Sequence, residues 1–484
     1  MIRRSGLRRA LQLGAAIVAL AGPALAGAGQ TSWYAITTGT GVPVGHAWAE
    51  VRETAEGSER IDYQETTLRE QDARPTRVSE RTVTRQDRTG ALTSLSSDTR
   101  VGATTSHVEV RRVAGGLEVV RDSAGGRNAR VVPLGPHVRF DGGEGLYQTW
   151  DPAVPTLEFE AFSLDALGIE RVIATRIPGG PDAQGRTEVL RASYDGRELR
   201  GVSRLTLDAE GRVVSVSQPL FGASLVTTPA DQATAQRTPA PFRLMANLMM
   251  KSPFRIPSGA AQGHIRYRFG FRDGMAFPLP QTGEQRVTVV GGETVLDICA
   301  SCGPGLPTDA ASLHQARQPS PWLQSDDPRI RKLVGPIARL KVSDTRKMEI
   351  LSRTARGYLG EIDFAGHFSA SETLDRRRGD CTEAAVLLAA FGRAAGIPTR
   401  TASGYVYSRE RYHGLSNVFL PHSWTLAYVD GKWRSFDAAL NEFDTTHIAV
   451  TIGDGDLRSM AASGQLASLL QWQGMAEVKA RPRG

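Results

Sequence analysis

Between residues 31 and 226 the chain is cut into short alternating runs, SHVEVRRV, GLEVVRD, ARVVPL, TEVLRASY and RVVSVSQ among them, parted by Gly, Asp and Asn. A period of two puts successive side chains on opposite faces of a pleated sheet, and turn signals this frequent keep each strand short. The first part of the chain is therefore expected to be strand-dominated, as one β-rich domain or two. Its opening GVPVGHAWAEVRE loosely resembles the half-open sheets of envelope carrier proteins, a likeness that implies no site.

The pattern changes twice. TTPADQATAQRTPAP at 227–241 is small, polar and proline-containing, and reads as a linker. HIRYRFGF and QRVTVV then suggest a small β-domain. After GPGLPTDAASLHQARQPSPW, a second linker, the period becomes helical, first in RIRKLVGPIARL. It continues in DTRKMEILSRTARGYL, with Met348, Leu351, Ala355 and Tyr358 on one face. The expected layout is a β-rich domain over 27–235, a small β-domain over 236–305, a linker over 306–328 and an α+β domain over 329–484.

Residues 1–26 carry four arginines, a short apolar segment and Ala24-Leu25-Ala26, the layout of a cleaved signal peptide. The apolar run is short for a span, so no stable membrane span is expected, and the chain is expected in the periplasm or secreted. Formal net charge is +7; removing Arg3, Arg4, Arg8 and Arg9 leaves about +3, no nucleic-acid signature. Only six lysines are present, which makes self-crosslinking through lysine amines unpromising.

An exported chain with three cysteines leaves one over after internal pairing. Cys299 and Cys302 sit in DICASCGPGLP, where a local disulfide, two free thiols, or a zinc site needing further ligands such as His314 are all conceivable. The glycines and prolines that follow disfavour a thioredoxin-like helix. The leftover is Cys381, in RRRGDCTEAAVLLAAFGRAAGIPTR. Ala384, Ala385, Leu387, Leu388 and Phe391 mark a buried helix ended by Gly396 and Pro398. Asp380 and Glu383 read as a capping box, which places Cys381 in the first turn. Unpaired N–H groups there are expected to draw the thiol below its usual value of about 8.5 and make it a nucleophile. The plainer reading is a small residue opening a core helix.

A nucleophile needs a base and a group to orient it. PHSWTLAYVDGKWRSFDAAL at 421–440 supplies both. Val429-Asp430-Gly431-Lys432 predicts a two-residue hairpin. Pairing Val429 with Lys432 makes His422 and Asp437 diagonal neighbours on one face. His422 would then exchange a proton with Cys381, Asp437 would fix the imidazole, and the Cys381 N–H would serve a developing oxyanion.

GDCTEAAVLLAAFGRAAGIPTRTASGYVY followed by HSWTLAYVDGKWRSFDAA resembles the bacterial branch of the transglutaminase-like superfamily. The resemblance implies a papain-like domain using Cys381, His422 and Asp437 in that order. It also implies acyl transfer or hydrolysis at amide or peptide bonds through a thioester, with no cofactor or metal. Trp424 matches the aromatic two residues after the histidine and, with Asp380 and Glu383, would line or support the pocket. Two positions depart from the family pattern: Ala384 stands where a histidine often follows GDCTE, and Ser423 where alanine is commoner. GHAWAEV at 45–51 imitates the histidine motif, but His46 precedes the cysteine, against the family's order. His413 and His447 flank the site and read as solvated loop residues. The expected partner is a protein or peptide of the cell envelope. Two other readings stand beside the enzyme. One is a catalytically silent envelope scaffold; the other is a carrier that uses the N-terminal β-region.

Overall fold

The computed structural model describes residues 31–69, 75–101, 104–123, 126–164, 166–196, 198–220, 223–243, 249–272, 276–362, 368–410 and 416–479. The expected signal segment 1–26 and His413 lie outside them. Two compact units divide at about residue 245.

The first unit is a meandering antiparallel sheet, as the alternating runs require. From the edge strand Gly126–Pro133 its strands follow in reverse chain order to Thr31–Thr38. Thr31–Thr38 then pairs with Ala223–Ala230, and the order runs back down the chain to the other edge at Thr156–Ser163. The segment read as a linker therefore holds the strand that joins the two halves. Trp33 faces Ala230 and Ile36 faces Thr227 across that seam. Pro229 sits within the ladder opposite Tyr34, and the short helix Gln232–Ala235, capped by Asp231, follows the strand. Tyr34, Tyr147, Trp150, Phe159, Val172, Val189 and Leu205 are in one core of this unit, and Leu92, Leu95, Val110, Leu117 and Val119 are in another. Polar groups are also enclosed. Burial pushes the Glu144 carboxyl up to about 8, against the pull of the Arg60 guanidinium. His46 belongs to this unit, its ring close to those of Trp33 and Tyr63.

The second unit combines two sheets and a helical layer. A four-stranded sheet runs in the order Gln285–Val290, Glu293–Ile298, Ile265–Phe271, Leu470–Glu477. A five-stranded sheet is built around Val418–Val429, which pairs with Thr399–Ser408 on one side and with Lys432–Phe436 and Met250–Lys251 on the other. Ile448–Gly453 extends it beyond Thr399–Ser408. Helices Pro328–Ala338, Asp344–Tyr358 and Ala370–Arg376 surround the helix Cys381–Ala394, in which every residue from Thr382 to Arg393 is buried. Met348, Leu351 and Ala355 supply the facing stripe, as their spacing predicts. Burying Leu387, Leu388 and Phe391 stabilises this packing by about 1.5–3 kcal/mol each. Residues 306–328, expected as a linker, contain the helix Ala310–Gln315 and bury Ala316 and Leu323. Cys299 and Cys302 are joined as a disulfide, and Cys381 is free. Among the described residues no helix is long and apolar enough to cross a membrane.

Candidate active site

The helix that carries Cys381 begins where the capping box places it. Asp380 accepts the Thr382 N–H at 2.7 Å, and Glu383 reaches back to the Asp380 N–H at 2.9 Å. Glu383 also takes the Phe368 N–H at 3.0 Å, so its two oxygens anchor both sides of the helix start. Position 379 is held to glycine by this arrangement, since a Cβ there would lie 2.4 Å from Glu383 Cβ. Among the described residues the Cys381 N–H has no hydrogen-bond partner, as expected of a first-turn amide.

The hairpin has the register its turn dictates. Val429 pairs with Lys432 and Thr425 with Phe436, and Asp430 and Gly431 both take positive φ, 50° and 82°. A Thr425 Oγ1 bond to the Ala385 carbonyl, 2.9 Å, ties the histidine strand to the cysteine helix. His422 and Asp437 meet as the register requires, Nε2 to Oδ2 at 2.6 Å, with both residues buried. With Nε2 engaged, Nδ1 is the ring nitrogen left to exchange a proton. The Ser423 backbone N–H, one peptide beyond His422, lies on the side of the Cys381 sulfur where it favours the thiolate.

The surroundings of the sulfur act against the expected activation of the thiol. Burial, then the Asp380 carboxylate, pushes the Cys381 thiol well above its ordinary value, and the Ser423 N–H opposes them only in part. The residue keeps partial surface exposure, yet enough protein surrounds the sulfur for lost hydration to dominate. The carboxylate that marks the helix start in the sequence is the same group that disfavours a thiolate beside it.

Asp437 is more heavily engaged than a triad reading requires. Its Oδ1 accepts the Ala439 and Leu440 N–H groups at 2.7 and 2.9 Å, while Oδ2 accepts from His422 and also faces His447 Nε2 at 3.1 Å. These partners hold its carboxyl far below the usual carboxylate range despite its burial, the largest single influence. His447, read from sequence as solvated, is 2 % exposed. Residues 441–447 close back over the hairpin end, a path without periodicity for sequence reading to detect. The His447 ring lies 5.4 Å from that of His422 and 4.7 Å from that of Phe443.

Trp424, expected to line or support the pocket, packs behind His422. It is 1 % exposed in a core with Ala402, Leu426, Trp433 and Ile452, stacked at 6.1 Å against His422, and so fixes that ring from behind. The ligand-type atoms of His422, Asp437 and His447 lie within 4.8 Å of one another. Both Nε2 atoms are already at hydrogen-bond distance from the single oxygen Oδ2, and this is the geometry of shared protons rather than of a cation held between its ligands.

Residues 337–438 match the transglutaminase-like superfamily, a segment that contains Cys381, His422 and Asp437. The chain thus carries a transglutaminase-like domain. A comparison with curated proteins found no match. Among solved structures, the chain is similar to a Cytophaga hutchinsonii protein described as a candidate cysteine protease, at 16% identity and TM-score 0.27, over 45% of this chain and 84% of that one. It is also similar to a β-barrel-like protein of unknown function from Brucella abortus, at 13% identity and TM-score 0.32, over 41% and 95%. A third, from Parabacteroides distasonis and described as a candidate protease, is 13% identical with TM-score 0.18, over 55% and 63%.

Proposed function

We propose that the protein is an exported thiol enzyme that cleaves or transfers amide-linked acyl groups through Cys381, His422 and Asp437. The observation that carries this reading is the buried 2.6 Å bond between His422 and Asp437, on a strand that Thr425 ties to the helix opened by the free Cys381. His422 Nδ1 takes the thiol proton as sulfur attacks the carbonyl carbon, and the carbonyl π pair moves to oxygen near the Cys381 N–H. Collapse of that adduct expels the amine, which leaves with the proton from His422, and a thioester remains. Water or an amine, deprotonated by His422, then attacks the thioester and returns the thiol. Because the resting thiol is disfavoured as an anion, His422 acts as a general base in step with attack rather than as half of a standing ion pair. Hydrolysis is the outcome we favour, with a protein or peptide of the cell envelope as substrate. The signal-like layout of residues 1–26 supports export.

Cys381→Ala is expected to leave the fold intact and abolish release of amine or ammonia from peptides and glutamine side chains, with Asp437→Ala losing most of it. Full turnover by Cys381→Ala would end this reading. One observation favours a silent envelope scaffold instead: the upward push on the Cys381 thiol. The scaffold reading predicts alkylation of Cys381 at the same slow rate in the unmodified protein and in His422→Ala.

A further inference from the structure

His447 occupies a position that the thiol mechanism does not use and that its surroundings nonetheless define on every side. Nε2 faces Asp437 Oδ2 at 3.1 Å. Nδ1 faces the Asp444 carbonyl and Asp444 Oδ1, both at 3.1 Å. The Asp444 backbone N–H also points at Nδ1 but lies farther off, at 3.3 Å. Asp444 is itself held in place by the Thr446 N–H at 2.9 Å and by the Thr446 hydroxyl. With carboxylate oxygens at both ring nitrogens, a doubly protonated ring donates to each, and the Asp444 N–H is the one contact that a neutral ring would accept instead.

We infer that His447 is a positioning residue of the proposed site, a fixed imidazolium bridging Asp437 and Asp444 whose charge and Nε2–H govern how Asp437 supports His422. This rests on the proposed thiol mechanism for its catalytic meaning, although the bridge itself does not. The titratable groups that face His447 are Asp437, Asp444 and His422; Trp424 and Phe443 cover the rest of the ring. In the same direction, its own ionisation is raised to about 9: hydrogen bonds donated by the ring to the two carboxylates overcome burial, which is the largest influence and acts against the charge.

One consequence follows from the geometry. Asp437 keeps its orientation when the His422 ring shifts toward the thiol, because three N–H groups other than that of His422 hold it.

The test uses the full chain with selectively 15N-labelled histidine. One imidazole with both nitrogens protonated is expected to persist from pH 6 to pH 8 and to vanish in His447→Gln. A His447 ring that is neutral at pH 7 overturns the inference. This readout needs no reactive thiol, so it stands apart from any failure of the proposed function, which would show as an unreactive Cys381. The second readout is the pH profile of Cys381 alkylation by iodoacetamide. In His447→Gln the limb set by the Cys381 thiol is expected to move to higher pH by on the order of one unit, since the thiol proton is bound more readily once the nearby cation is gone. A uniform loss of rate with no displacement would mean a merely structural residue. Should His447→Gln fail to fold, Asp444→Asn takes its place. Removing one of the two carboxylates is expected to lower the pH at which the His447 imidazolium signal is lost, and an unchanged titration would refute the bridge.

Discussion

Asp437→Asn separates the orienting role of the carboxylate from its shape. The amide oxygen can keep the Ala439 and Leu440 N–H groups, so the chain after the hairpin has no reason to move. The amide NH2 then stands where Oδ2 now accepts from His422 Nε2 at 2.6 Å. A donor facing a donor forces the imidazole to carry its proton on Nδ1 and turn an N–H toward the thiol. The base is lost. General-base assistance contributes roughly 10²–10⁴-fold, about 3–5 kcal/mol of barrier. The structural penalty is smaller. His447 would lose one of its carboxylates, but it can release its proton instead of standing unpaired. With its ionisation at about 9, that release costs about 3 kcal/mol at pH 7. A domain stable by about 5–15 kcal/mol survives this, so the variant should remain folded. The assay is the rate of Cys381 alkylation by iodoacetamide at pH 7, with thermal unfolding as control. A folded Asp437→Asn protein alkylated within about threefold of the unmodified rate would refute the general-base assignment.

The remaining predictions concern stability. Because His447 is more basic in the folded chain than when unfolded, its contribution is complete below about pH 6.5 and disappears as pH rises through about 9. Chemical denaturation of the unmodified protein should show that decline, and His447→Gln should lack it. Glu144 is a carboxyl pushed up to about 8, so its neutral form is favoured in the fold and stability falls as pH rises from about 4.5 toward 8. Glu144→Gln is expected to stabilise the first unit at pH 8 and to change little at pH 4, and equal effects at both would count against a buried acid. Gly404 lies opposite His422, and a Cβ there would come 1.9 Å from the Ile448 carbonyl. Gly404→Ala should therefore push the strand Ile448–Gly453 aside, costing about 1–3 kcal/mol or more and lowering the unfolding midpoint by several degrees.

What the sequence discloses about this site follows from how local each cause is. The place of Cys381 is readable because a capping box spans four residues. The meeting of His422 with Asp437 is readable because Asp430-Gly431 fixes the register of everything near the turn. The state of the thiol is not, because burial is set by the helices and strands packed around the Cys381 helix rather than by its own neighbours in sequence. His447 is missed because the loop that returns it has no period, and its partners, one of them ten residues away, become visible only when the chain doubles back. The alternating runs announce the first sheet, yet not that Thr31–Thr38 pairs with Ala223–Ala230, across nearly two hundred residues. That pairing places a strand where small polar residues and a proline suggest slack chain.

The strand Leu470–Glu477 pairs with Ile265–Phe271, and Tyr267, at the centre of that ladder, donates to the Thr445 carbonyl at 2.9 Å. Thr445 also bonds Ala260 and Ala261 through its hydroxyl. The turn that delivers His447 is thus moored to segments nearly two hundred residues upstream. An excised fragment cut at the limits of the family match, 337–438, would lack His447 and all of that mooring. The smallest piece that keeps these contacts therefore runs from about residue 249 to 479, and a ribosome must complete the strand at 470–477 before that four-stranded sheet can close.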